Sequence, residues 1–215
     1  MKGCIIMGIM KNIFQNTRKP EGLLGKMMIK SMNKGHSRVS DWGIEKIPEG
    51  DYRKIAELGC GGGKTAEKLL KKYPEAHLTG VDYSDVSVKM ATDLNAGEIK
   101  NGRCTILQGD VSALPFEDES FDLATAFETV YFWPGPSESF KEVLRILKPG
   151  GYFLIVNESD GYGKSDRKWE AMIDGLVIFN KDQIEDFLRD GGFNNIEIHH
   201  DDKTHQLCIL AKKEI

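Results

Sequence analysis

From residue 54 onward, apolar positions follow two alternating rhythms. Short runs dense in apolar residues, KIAEL, HLTGVD, CTILQGD, FDLATAF and YFLIVN, are bounded by glycine, proline and charged residues. Runs of that length predict strands buried on both faces. Between them apolar residues recur every three or four positions, the spacing of a helix with one buried stripe. Ala66, Leu69, Leu70 and Tyr73 form such a stripe until Pro74 stops it, and Ser84 is placed to cap a helix whose inner face is Val86, Met90 and Leu94. Phe140, Val143, Leu144 and Leu147 mark a third helix closed by KPGG; Asn180 caps a fourth, with Ile184, Phe187 and Leu188 inward and Gly191 at its end. IEIHH and QLCILA, joined by a short polar turn, predict an antiparallel hairpin. Strands alternating with helices in this way build an α/β protein around a parallel sheet covered on both faces.

Residues 1–50 do not follow this rhythm. PEGLLGKMMIKSMNKG carries Leu23, Leu24, Met27, Met28 and Met32 near helical spacing, which predicts an amphipathic helix lying over the top edge of the sheet as a packing element or a lid. The opening MKGCIIMGIM is too short for a secretory core, meets Lys11 at once and shows no small-residue cleavage site, so it reads as a disordered or surface-docked terminus. The expected division is therefore an N-terminal helical segment or lid over 1–50 and one core domain over 51–215.

Composition narrows the class only slightly. With 40% hydrophobic and 29% charged residues and no apolar run of bilayer-spanning length, the 215-residue chain is expected to be water-soluble, with no membrane span. A formal charge of −4 argues against duplex nucleic acid as the main partner. Cys4, Cys60, Cys104 and Cys208 form no C-x-x-C pair, which leaves no zinc or redox site and fits a reducing, cytoplasmic setting. The hairpin residues His199, His200, Asp201, Asp202 and His205 straddle alternating faces, so no metal is expected there.

The stretch IAELGCGGGKT narrows the chemistry. A Walker A loop needs a glycine at the position occupied by Leu58, and the dinucleotide fingerprint needs one where Lys64 stands. What remains is an acid followed by alternating glycines, Glu57, Gly59, Gly61 and Gly63, with Lys64 opening a helix whose N-terminus carries partial positive charge. An acid beside that loop repels a polyphosphate and welcomes an amine or a nucleoside hydroxyl; the helix end suits a carboxylate. The loop is thus built for an amino acid joined to a nucleoside. Asp82 ends the second predicted strand at close to the ~20-residue offset of ribose-binding acids, and Asp110 ends the third. Structural roles compete for each: Asp82 as a helix cap, Asp110 as a turn initiator.

Together ELGCGGG, GVDYS, GDVSALPFEDESFDLATAFETVYFW and LKPGGYF resemble a class I S-adenosylmethionine-dependent methyltransferase of the small-molecule kind, similar to the type 11 and type 25 groups, over roughly residues 50–212. The resemblance implies a Rossmann-like, doubly wound seven-stranded sheet, six strands parallel and one antiparallel, in the order 3-2-1-4-5-7-6. It implies S-adenosylmethionine as cofactor, with Gly59, Cys60 and Gly61 against the methionine part, Asp82 and Tyr83 on the ribose, Asp110 and Val111 at the adenine, and Phe127 and Glu128 beside the sulfonium and acceptor. Methyl transfer then needs alignment more than side-chain chemistry. Where a base is required, Glu128, His36 and Tyr131 are the candidates, and Phe127, Tyr131, Phe132 and Trp133 offer an aromatic wall. The expected partner is a small-molecule acceptor, for a monomer or homodimer. A cofactor-binding sensor without transferase activity and a methyltransferase acting on RNA or protein are the alternatives.

Overall fold

A computed structural model describes residues 15–18 and 20–214. The expectation for the opening ten residues, Cys4 included, lies outside them. The strands are β1 (Lys54–Leu58), β2 (His77–Asp82), β3 (Cys104–Gln108), β4 (Phe121–Phe127), β5 (Leu147–Asn157), β6 (Asn195–Asp201) and β7 (Gln206–Lys212). They form one seven-stranded sheet in the order β3-β2-β1-β4-β5-β7-β6. β7 alone runs against its neighbours β5 and β6; the remaining pairs are parallel. The helices are α1 (Gly22–Gly35), α2 (Ser37–Glu45), α3 (Lys64–Lys72), α4 (Asp85–Leu94), α5 (Ala96–Lys100), α6 (Pro136–Ile146), α7 (Asp166–Met172) and α8 (Lys181–Asp190), with a single 3₁₀ turn over Val130–Phe132. No helix among the described residues is long and apolar enough to cross a membrane.

Alternation along the strands splits the core in two. Ala124, Ala126, Phe153 and Ile155 face a cluster with Phe140, Val143 and Ile146 of α6 and Ile184 and Leu188 of α8. Leu123, Phe127, Leu154 and Val156 face the other side, against Val39 and Ile44 of α2 and Ala66, Leu69 and Leu70 of α3. Side chains one apart on a strand point to opposite faces, so both layers draw on the same short sequences. Both expected caps form: Ser87 N–H donates to Ser84 Oγ at 3.4 Å, and Asn180 shares a capping box with Gln183.

Four helical details differ from the sequence reading. α4 turns Ser87 and Ala91 inward and leaves Leu94 43% exposed, because it lies against the glycine loop: a Cβ on Gly63 would stand 2.8 Å from Ala91 Cα and 2.5 Å from Asn95 Nδ2. Only small side chains fit that approach. α1 likewise buries Gly25 and Ile29 while Leu23, Leu24 and Met27 stay exposed, since Gly25 rests on Pro20. α6 ends at Ile146, and Leu147 with KPGG already belongs to β5. The helix α2 was not expected. Its buried face, Val39, Ser40, Gly43 and Ile44, is half small or polar, and Gly43 is where the helix backbone meets Val156.

Candidate active site

The parallel strands end along one edge of the sheet, and the loops that leave them there carry the acids. After β1 the chain turns through Gly59, Gly61 and Gly63, all in the left-handed region at φ 77°, 51° and 74°. Packing explains most of these glycines. A Cβ on Gly59 would strike Thr129 Oγ1 at 2.1 Å, and one on Gly62 would strike Ile29 and Asn33 of α1. Gly61 alone of the loop's positive-φ glycines faces space with no atom within 4 Å. The loop is rigidly tied: the N–H groups of Gly59 and Cys60 donate to Val81 O at 2.7 and 3.0 Å, and Gly61 N–H donates to Asp82 Oδ2 at 2.8 Å.

Glu57 is 2% exposed, and its Oε2 has no hydrogen-bond partner. Burial, with the charge of Asp82 added, pushes its carboxyl up to about 8. Asp82 is also raised by burial, although N–H bonds from Ser84 and Gly61 oppose the shift; Ser84 N–H lies 2.9 Å from Oδ1. Ser87 adds a side-chain hydrogen bond, and the carboxylate, with about four acceptor sites, still keeps capacity for one more donor. Asp110 accepts from Ser112 N–H at 2.9 Å and Ser112 Oγ–H at 2.7 Å through the same Oδ1, so the turn role foreseen for it is filled. Cys60 is buried in the loop, and burial pushes its thiol well up, which keeps it uncharged.

Glu57, Gly59, Cys60, Gly61, Asp82 and Asp110 line one cavity of about 510 Å³ together with Tyr83, Val111 and the first residues of α3, Lys64 and Thr65. Thr17, Arg18 and Pro20 form a strap along it, and Met32, Asn33 and His36 come from α1 and its end. The strap is fastened by the Tyr83 hydroxyl, which donates to Arg18 O, by Ser84 Oγ–H to Pro20 O at 2.9 Å, and by Arg18 Nη1–H to Asp174 O at 3.1 Å.

At the far end stand Phe127, Glu128, Phe132, Trp133 and His36. Glu128 has φ 58°, which costs a non-glycine residue roughly 1–2 kcal/mol. Its N–H donates to Val156 O at 2.9 Å and its Oε1 accepts from Glu158 N–H. Oε2 faces His36 Nδ1 at 3.5 Å. Burial first, then the charge of Glu158, drives the Glu128 carboxyl well up; burial lowers His36 against the pull of Glu158. Tyr131 does not line the cavity. It is buried behind Glu128, bonded to that carboxylate, and its hydroxyl accepts Ser159 N–H at 3.2 Å. Trp133 faces both ways: it borders the cavity while stacking on Phe153 at 6.1 Å in the core.

Residues 56–155 match the sequence profile of the methyltransferase domain family. The chain is 27% identical over 179 residues to the uncharacterized methyltransferase YdaC of Bacillus subtilis, a match spanning 81% of this chain and 91% of that protein. This is a class I S-adenosylmethionine-dependent methyltransferase. The methyltransferase is also 33% identical over 158 residues to the sterol 24-C-methyltransferase erg-4 of Neurospora crassa, covering 69% of this chain but 41% of that one. The chain thus spans nearly all of the bacterial relative and under half of the fungal enzyme. Its fold superposes with a TM-score of 0.78 on a Haloferax volcanii structure described as the Trm112 methyltransferase activator with a putative methyltransferase, at 19% identity over 87% of this chain and 94% of that one.

The residues of this methyltransferase fit its cofactor, S-adenosylmethionine. A buried carboxylate oxygen without a protein partner, Glu57 Oε2, complements an ammonium; Asp82 retains acceptor capacity for a hydroxyl; Gly61 faces open space. Of the ligand and base candidates read from sequence, Glu57, Gly59, Cys60, Gly61, Asp82, Tyr83, Asp110, Val111, Phe127, Glu128 and His36 line the one cavity, while Gly63 and Tyr131 stand outside it. Sequence reading passed over Glu158, whose position just past a strand end was the available signal. It also passed over Asp160, 1% exposed, on whose Oδ2 His200 and His205 converge at 2.7 and 2.9 Å. His200 and His205 do meet, across the hairpin turn, but at a carboxylate; His199 turns away to Glu197.

Proposed function

We propose that this methyltransferase acts on a small-molecule acceptor held in the same cavity as the cofactor, by in-line displacement at the methyl carbon. The observation that carries this reading is enclosure: the cavity that gathers Glu57, Asp82 and Glu128 is walled by the strap of Thr17, Arg18 and Pro20 and by α1, where a macromolecular acceptor requires an open groove. When bound, S-adenosylmethionine supplies an electrophilic methyl on a positively charged sulfur. Glu57 then takes the α-ammonium, the backbone of Gly59, Cys60 and Gly61 borders the methionine part, and the start of α3 takes its carboxylate. Asp82 accepts a ribose hydroxyl, with Tyr83 closing the strap over it, and Asp110 and Val111 border the adenine. Phe127, Phe132 and Trp133 exclude water, and His36 with Glu128 is placed to hold or move a proton. Tyr131 positions Glu128 and touches no reacting atom.

Calorimetry tests the assignment. Asp82→Ala, with its fold intact by circular dichroism, is expected to bind S-adenosylmethionine about 100-fold more weakly, since charge-assisted hydrogen bonds contribute roughly 1.5–3 kcal/mol each. Unchanged affinity overturns the ribose role.

A further inference from the structure

The acceptor end of the cavity brings together two acids with no lysine or arginine paired to either among the described residues. Glu128 leaves β4, Glu158 leaves β5 and His36 joins α1 to α2; one nitrogen or oxygen of each lies within 4.8 Å of those of the other two. The Glu128 side chain is 12% exposed and Glu158, beside it just past β5, is 40% exposed. Among the described residues no lysine or arginine forms an ion pair with either glutamate, and His36 is the one ion-pair partner of both. Burial and Glu158 push the Glu128 carboxyl toward its neutral form, so it ionises there only against a positive partner, and the site suits a cationic ligand.

We propose that the acceptor is a primary or secondary amine on an apolar body, bound as its ammonium between Glu128 and Glu158 and deprotonated by His36. This deepens the small-molecule reading above and rests on it. The geometry favours an ammonium over a metal ion. His36 turns Nδ1 toward Glu128 at 3.5 Å and Nε2 toward Glu158 at 4.0 Å, so its two ring nitrogens face different carboxylates, and the aromatic wall beside them suits an organic cation better than a bare metal ion. Two oxygens within 4.8 Å match the span of an ammonium donating two bonds of about 2.8 Å. Phe127, Phe132 and Trp133 provide the apolar wall and a face for the cation. Burial keeps the His36 imidazole neutral and able to take a proton.

In the step, the ammonium gives one proton to His36. The lone pair so freed forms the nitrogen–carbon bond as the carbon–sulfur bond breaks, its electron pair remaining on sulfur. The positive charge passes from sulfur to the methylated nitrogen, and His36 returns its proton to water.

The test uses the full chain saturated with S-adenosylhomocysteine at pH 7.5, titrated calorimetrically with benzylamine, 2-phenylethylamine and tryptamine and with their alcohol counterparts. At least one amine is expected to bind ten-fold or more tightly than its alcohol. Glu158→Gln and Glu128→Gln each remove most of that preference while leaving S-adenosylhomocysteine affinity within about two-fold, and His36→Gln retains amine binding but yields no methylated amine by mass spectrometry. Amines bound no better than alcohols by a protein that binds S-adenosylhomocysteine overturn the proposal alone. Tight Mn²⁺ binding that Glu158→Gln abolishes, without amine preference, overturns it in favour of a metal. Failure to bind S-adenosylhomocysteine sinks the cofactor reading and the proposal with it.

Discussion

On the assignment proposed above, Glu57 is the residue whose state the cofactor changes most. Its folded carboxyl lies at about 8, raised by burial and by Asp82, so it is protonated in the free protein at neutral pH. The unfolded chain ionises it near the ordinary carboxylate value, so between about pH 4.5 and 8 the folded state binds more protons and stability falls as pH rises. A docked ammonium reverses this by favouring the charged carboxylate. Binding of S-adenosylmethionine near pH 7 is therefore expected to release close to one proton. Calorimetry in buffers of different ionisation enthalpy measures that number directly. Glu57→Gln is expected to release almost none, and to lose less stability than the unaltered protein between pH 5 and pH 8 in urea titrations. Proton release that persists in Glu57→Gln assigns the titration elsewhere, with Asp82 next in line.

At the scale of elements, the glycine loop separates two uses of one residue type. Gly63 at φ 74° lies under Ala91 and Asn95, so Gly63→Ala combines left-handed strain with overpacking and is expected to lose roughly 2–4 kcal/mol of stability. Gly61→Ala, at φ 51° with open space beyond, carries the strain alone, roughly 1–2 kcal/mol, and is expected to lose cofactor affinity out of proportion to stability. Urea midpoints set beside calorimetric affinities distinguish the two. The same contrast explains what was legible in the chain. Strands β1, β2 and β4 and the later part of β5 stand out because they are almost wholly buried and read as runs dense in apolar residues, and Glu57, Asp82 and Asp110 stand out because they lie at or close to the ends of such runs. The inward faces of α1, α2 and α4 do not stand out. They are built from Gly25, Gly43, Ser87 and Ala91, small residues chosen for close approach, while the larger Leu23, Leu24, Met27 and Leu94 face water. Hydrophobic periodicity is blind to a helix that packs through its glycines and alanines. Glu158 and Asp160 escape for another reason: their partners His36, His200 and His205 are brought to them only by tertiary structure.

Taken as a whole molecule, the sheet supplies a ligand-binding edge and the segment before it supplies the cover. α1 rests on the glycine loop through Ile29 and Asn33, α2 is fastened to α3 by Lys68, whose Nζ–H donates to Ser37 O at 2.6 Å and pairs with Asp41 at 2.8 Å, and the strap crosses to Tyr83 and Ser84. The cover thus touches both ends of the cavity, His36 beside Glu128 and Arg18 along the strap, and a ligand that fills the cavity is expected to pass it or lift it. Lifting the strap breaks the bonds from Tyr83 to Arg18 O, from Ser84 to Pro20 O and from Arg18 to Asp174 O, each contributing about 1 kcal/mol net. Removing one by Tyr83→Phe is expected to speed both association and release of S-adenosylhomocysteine about five-fold in stopped-flow displacement, because the open state gains population at the expense of the closed one. Arg18→Ala is expected to do the same through its bond to Asp174, and the two changes together to multiply, since they loosen one gate. Exchange rates unchanged in both variants place the entry path elsewhere and leave the strap as a fixed wall.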